Sequence, residues 1–176
     1  MPGGLAISFI MKTYQIGNNR VVEVVNDGAD YNIIIKDTNS SAEAVFNRAR
    51  WTFLLGCVTD IQGAVEKLIE GKDTELQFRQ HYGGGWYVSV TAGIRCVDLR
   101  RFFLNDSYQV KPTRHGIGLR LPEWETLKNV FDKIRVDFPD LNNTLGCFHA
   151  DLGDWVNCQE CMPFFRNTSS SSSTRT

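Results

Sequence analysis

Trp51-Thr-Phe-Leu54-Leu-Gly-Cys-Val58-Thr-Asp-Ile61 is echoed 73 residues later by Trp124-Glu-Thr-Leu127-Lys-Asn-Val-Phe131-Asp-Lys-Ile134. In both stretches the apolar side chains fall at spacings of three, four and three, which gathers them on one face of a helix. Four positions with one offset mark a repeated unit, so the fold turns on what precedes each copy. Pro122 suits the first turn of the second helix, where its missing N–H would lack a partner anyway. The spacing predicts helices over residues 48–69 and 122–135. Gly56 and Gly63 each weaken the first by about 1 kcal/mol relative to alanine, so packing rather than propensity must hold it.

Strand-like sequence leads into each helix. Arg20-Val-Val-Glu-Val-Val25 alternates, meets the turn signal Asn26-Asp27-Gly28, and is answered by Tyr31-Asn-Ile-Ile-Ile-Lys36. Later, Trp86-Tyr-Val-Ser-Val90 reaches Thr91-Ala92-Gly93 and returns as Arg95-Cys-Val-Asp-Leu-Arg-Arg-Phe-Phe103. The offset is 66 before this turn and 64 after it, so the second hairpin loop is shorter. Its rise to 73 by the helix predicts a longer connection that holds Lys111-Pro-Thr-Arg-His-Gly116. Earlier strands are read at residues 14–17 and 76–82, and short ones ahead of the helices at 44–46 and 116–121.

The fold class is therefore α+β, with two tandem β-β-β-β-α units. The reading divides the chain into an N-terminal extension (1–13), a first unit (14–70), a linker (71–75) and a second unit (76–136). A Cys/His segment (137–166) and a Ser-rich tail (167–176) follow, and the tail is expected to be disordered.

A formal net charge of −1 excludes a chain that coats nucleic acid over its whole surface. Residues 76–122 differ from that average. They carry seven basic side chains against Asp98 and Asp106, a local charge of +5. Cations there would attract a phosphate backbone without sequence preference, and an exposed aromatic among them would stack any base. Alternation sends half of the aromatics inward; Trp86 and Phe103 are the stacking candidates, and Tyr87 and Phe102 are expected in the core. Asp98, between Val97 and Leu99, is expected to pair with a neighbouring arginine.

Five cysteines, an odd number without a dense framework, indicate a reducing intracellular setting. The apolar stretch at residues 4–11 is too short for a membrane span. Cys147, His149, Cys158 and Cys161 form a candidate structural zinc set, thiolate and imidazole being suited to tetrahedral zinc. The alternatives are buried thiols or a Cys158–Cys161 redox couple. Catalysis has no foothold. His81, His115 and His149 lie apart, and Gly83-Gly84-Gly85 precedes a strand instead of opening a phosphate-binding helix.

Tyr14-Gln-Ile-Gly-x-x-Arg20 followed by Val22-x-Val24 resembles the opening strand pair of the positive cofactor four family of transcriptional coactivators. In the second unit, Val88-Ser-Val90, Val97-Asp-Leu-Arg100, Lys111-Pro-Thr-Arg-His-Gly-Ile-Gly-Leu119 and Trp124-x-x-Leu127 follow the order and approximate spacing of that domain. The resemblance spans residues 14–136. It implies curved antiparallel sheets paired through their helices, here as an intramolecular pseudo-dimer whose grooves hold single strands. It also implies a non-enzymatic nuclear protein that regulates transcription and meets the transcription machinery. The basic, aromatic cluster and the resemblance together nominate Arg20, Lys36, Trp86, Arg95, Arg100, Phe103, Lys111, Arg114 and His115 for nucleic acid. Departures cluster in the first unit: Asn18 replaces a lysine, Asn39 an aromatic, and nothing matches Lys111 to Arg114. The second hairpin loop, Thr91-Ala92-Gly93, also lacks the aromatic of the family pattern. The first unit is thus expected to act partly as scaffold. The expected function is sequence-tolerant binding of single-stranded DNA or RNA. The alternative is a degenerate repeat that serves as a protein-interaction module without binding nucleic acid.

Overall fold

Alternation in the first strands sorts their side chains into two faces. A computed structural model describes residues 10–26, 28–143 and 160–164. β1 (Ile10–Gln15), β2 (Arg20–Asn26), β3 (Tyr31–Asp37) and β4 (Glu43–Asn47) form an antiparallel meander in chain order. The register sets Tyr14 opposite Val22, Val22 opposite Ile35, Val24 opposite Ile33, and Ile33 opposite Phe46. All of these are buried, so every second residue builds one apolar face. β5 (Gln77–Gly83), β6 (Trp86–Thr91), β7 (Cys96–Leu104) and β8 (Val110–Arg120) repeat the meander. Here Val88, Val90, Val97, Leu99, Ile117 and Leu119 supply the apolar face.

The helix predicted over 48–69 is two helices, α1 (Arg48–Gly56) and α2 (Val58–Glu70). Asn47 caps α1 by accepting the Arg50 N–H at 2.8 Å. At the break the Cys57 N–H turns back to the Leu54 carbonyl at 3.0 Å, a tighter turn than an α-helix makes. Gly56, the weak point in the sequence, sits immediately before it. Gly71 ends α2 in the left-handed conformation, φ 67°, with its N–H on the Lys67 carbonyl.

α3 (Leu121–Asp137) starts one residue before Pro122, where Glu123 accepts the Arg120 N–H at 2.8 Å. Leu121, read from sequence as the end of a strand, therefore belongs to the helix. Trp51, Leu54 and Ile61, and likewise Trp124, Leu127, Phe131 and Ile134, are all buried. Helical spacing had placed them together.

One continuous core serves both units. Phe46 of the first sheet stacks on Tyr82 of the second at 5.1 Å, and Trp51 meets Phe131 edge-on at 5.3 Å. The Trp124 indole donates to Gln62 Oε1 at 3.1 Å. Between β1 and α3, Lys12 and Tyr14 both reach Asp137 at 2.6 Å, and these hydrogen bonds hold its carboxyl below the usual range. After α3 a 3-10 turn, Pro139–Asn143, brings the chain back onto the first unit. Phe138 packs edge-on to Tyr31 at 5.7 Å, and Arg48 donates to the Asp140 carbonyl at 3.0 Å. Residues 137–143, assigned from sequence to the Cys/His segment, thus extend the common core.

Candidate nucleic-acid interface

The distinctive element is β8. The offset rising to 73 predicted a longer connection holding Lys111 to Gly116 and then a short strand, but the whole of Val110–Arg120 is strand. Pro112 is tolerated because β8 lies at the edge of its sheet. Arg100 pairs with Gly116, and the next pairing is Phe102 with Pro112, so residues 113–115 bulge opposite Arg101. Thr113 Oγ1 donates to the Arg101 carbonyl at 2.7 Å and accepts the His115 N–H at 3.1 Å. The Arg100 guanidinium grips both Asp98 oxygens, at 3.0 and 3.1 Å, and the Thr113 carbonyl at 3.0 Å. Gly116 lets the strands close: a Cβ there would lie 2.5 Å from the Leu99 carbonyl oxygen.

This stapled bulge presents Lys111, Arg114 and His115 to solvent. Phe103, opposite Lys111, is 46% exposed, and Tyr108 in the loop beyond is 86% exposed with φ 58°. Between them and the β5–β6 turn runs an open cleft of about 820 Å³, lined by Arg50, Arg101, Phe103, Thr113, His115 and Phe164 among others. A second cleft of about 610 Å³, with His81, Tyr87, Val110 and Met162 in its walls, lies beside it and shares Leu104, Tyr108, Pro163 and Phe164.

On the face of the second sheet away from the core, Tyr87 packs against Phe102 at 4.8 Å, and Arg79 lies over the Phe102 ring at 4.8 Å. Tyr87 and Phe102, both expected in the core, stand instead in this outer cluster, with Phe102 buried and Tyr87 half-buried. His81 Nε2 accepts the Gly85 N–H at 3.1 Å, and burial draws its pKa down.

The expected binding residues separate into three groups. Phe103, Lys111, Arg114 and His115 come together around the bulge. Arg95, exposed ahead of β7, lies about 25 Å along the strand from Phe103. The others are engaged elsewhere. Trp86 is only 8% exposed and stacks on Tyr82 in the core, so it offers no open face to a base. Its correction follows from register: Trp86 continues the inward row of Val88 and Val90. Arg20 reaches Asp37 at 3.5 Å and Glu123 of the other unit at 3.9 Å, and Lys36 binds Glu23 at 2.8 Å. Arg100 is the clasp of the bulge, and its pairing with Asp98 is the one expected from sequence.

Residues 88–130 match the family described as Transcriptional Coactivator p15 (PC4). The PC4 match runs from Val88 in β6 to Val130 in α3, so it holds the bulge, Arg95 and the first part of α3. Arg20, Lys36 and Trp86 fall outside it. No curated protein and no solved structure matches the chain.

Among the described residues, no cluster of His, Cys, Asp or Glu has the makings of a metal site. Cys147, His149 and Cys158 lie outside the described residues, while Cys161 is half-buried in the wall of the second cleft. No described helix is long and apolar enough to cross a membrane. Sequence reading missed the part played by Arg50 and residues 160–164 in the cleft. The one available signal was Gly83-Gly84-Gly85, three glycines where other groups approach the backbone closely.

Proposed function

We propose that the chain binds single-stranded nucleic acid, without strong sequence preference, as a coactivator of transcription. The observation that carries this reading is the β8 bulge, which lies within the PC4 match and groups Lys111, Arg114 and His115 beside exposed Phe103. Lys111 and Arg114 contact phosphates, Phe103 stacks a base, and His115 offers a hydrogen bond. Arg95 meets the strand farther along. The first unit is a tandem copy and structural mate, paired with the second as an internal pseudo-dimer. Arg20, Lys36 and Arg100 support the architecture through their carboxylate partners. Such a coactivator works in the nucleus beside the transcription machinery and performs no covalent chemistry.

The test is binding of a labelled single-stranded oligonucleotide across a salt series. Affinity should fall with salt and exceed that for duplex. Joint Lys111→Ala and Arg114→Ala should flatten the logarithmic salt slope by about 1.4, at about 0.7 per single-strand phosphate contact. Phe103→Ala should cost about 1–3 kcal/mol. No single-strand binding at low salt would overturn the proposal and leave the protein-interaction module as the better account.

A further inference from the structure

Arg50 and the turn at Gly83–Gly85 form a site already filled by the chain itself. Arg50 Nε and Nη2 hold the two oxygens of Glu160 at 2.8 and 2.6 Å, a bidentate grip with both side chains half-buried. The Glu160 carbonyl accepts the Gly84 N–H at 2.9 Å. All three glycines have positive φ, at 129°, 61° and 84°. A Cβ on Gly83 would meet Arg50 Cγ at 2.8 Å and Glu160 Oε2 at 2.9 Å, one on Gly84 would strike the Arg50 guanidinium, and one on Gly85 would touch the Phe164 ring at 3.4 Å. The turn is shaped for close approach by a guanidinium, a carboxylate and a ring.

Residues 160–164 thereby sit between the two clefts, and Pro163 and Phe164 line both. Arg50 comes from α1 of the first unit, yet it opens into the same cleft as Phe103 and His115. In sequence, residues 150–164 carry Asp151, Asp154 and Glu160 with Trp155 and Phe164, and no basic residue. Acids interleaved with aromatics complement a surface of cations and aromatics in the way a nucleic-acid strand does.

We propose that residues 160–164 are a built-in competitor of the strand. Glu160 stands on Arg50 where a phosphate binds, Phe164 covers the glycine turn where a base lies, and the segment leaves when single-stranded nucleic acid arrives. The inference rests on the single-strand reading above and adds Arg50, a first-unit residue, to the contact surface. Displacement of a segment docked about nine-tenths of the time would conceal about tenfold in affinity.

The experiment uses the full chain and an oligothymidylate probe. Phe164→Ala, which alters no charge, and Glu160→Gln should each tighten binding by several-fold, up to about tenfold. Glu70→Gln, on an exposed helix end, controls for charge alone and should change affinity less than Glu160→Gln. Adding Arg50→Gln to Glu160→Gln should abolish the gain. Alkylation of Cys161, read by peptide mass spectrometry, should accelerate when the probe saturates the protein. If wild type binds but Phe164→Ala and Glu160→Gln bind equally or more weakly, or if the probe leaves Cys161 alkylation unchanged or slower, the competitor is refuted and the single-strand reading stands. If neither wild type nor the released variants bind the probe at low salt, the single-strand reading itself has failed.

Discussion

Gly116 and His81 show how single residues govern this surface. A methyl group on Gly116 would press on the Leu99 carbonyl and the Arg100 backbone, neither of which can swing aside. Gly116→Ala should therefore cost about 1–3 kcal/mol in urea unfolding, and it should weaken oligonucleotide binding further by displacing the bulge. His81 makes a different prediction. Its neutral ring accepts the Gly85 N–H, whereas a protonated imidazole has no acceptor left. Burial lowers its folded-state pKa, an effect that nearby Arg50 reinforces and Glu160 opposes. The contribution is therefore complete above the unfolded value of about 6.5 and is lost as pH falls through the lower folded value. The stability gap between wild type and His81→Phe should shrink between neutral pH and pH 5, measured by urea unfolding at each. Residue roles in this region differ in legibility. Asp98 pairing with an arginine was readable, because a carboxylate between two core residues on a basic strand has few partners. The cap at Gly85 was not, since it depends on three successive positive φ angles.

The helices were the most readable elements, and β8 the least. Apolar spacing alone identifies the buried faces of α1, α2 and α3, because only one helical face can be covered by the sheets. Trp51→Ala or Trp124→Ala should cost about 3–5 kcal/mol, as expected for a fully buried ring, and denaturant midpoints will report it. The division at Cys57 escaped the pattern because the apolar face continues across it, and one tighter turn leaves the spacing unchanged. β8 was misread because the growth in repeat offset was taken for a loop, whereas the extra residues lengthen β7 and β8 and form the bulge. An edge position tolerates Pro112, and the close strand approach employs Gly116. Trp86 was ambiguous because alternation fixes two faces without saying which one meets the helices. Deleting Arg114 and His115, which leaves Thr113 opposite Arg101, should give a regular β7–β8 ladder, with most of the stability retained and single-strand affinity lost, which circular dichroism and anisotropy would separate.

At the scale of the molecule, the shared core makes the two units interdependent. Phe46 on Tyr82 and Trp51 on Phe131 would be exposed if either unit stood alone. Residues 14–70 or 76–136 expressed separately should be unfolded or self-associated, whereas the full chain should unfold in one transition with matching calorimetric and van't Hoff enthalpies. The likeness between units was visible from the repeated helix face. The way they join was not, because it rests on contacts between residues distant in sequence, such as Arg20 with Glu123 and Tyr14 with Asp137.

The Trp51–Phe131 contact has a consequence for synthesis. Its two rings are separated by 80 residues of chain. On a ribosome adding about 5–20 residues per second, Trp51 waits roughly 4–16 s for its partner to be made. Throughout that interval Trp51 has Phe46 of its own sheet as a ring neighbour but lacks Phe131. The core closes only when α3 leaves the ribosome, so the last helix made completes the packing of the first.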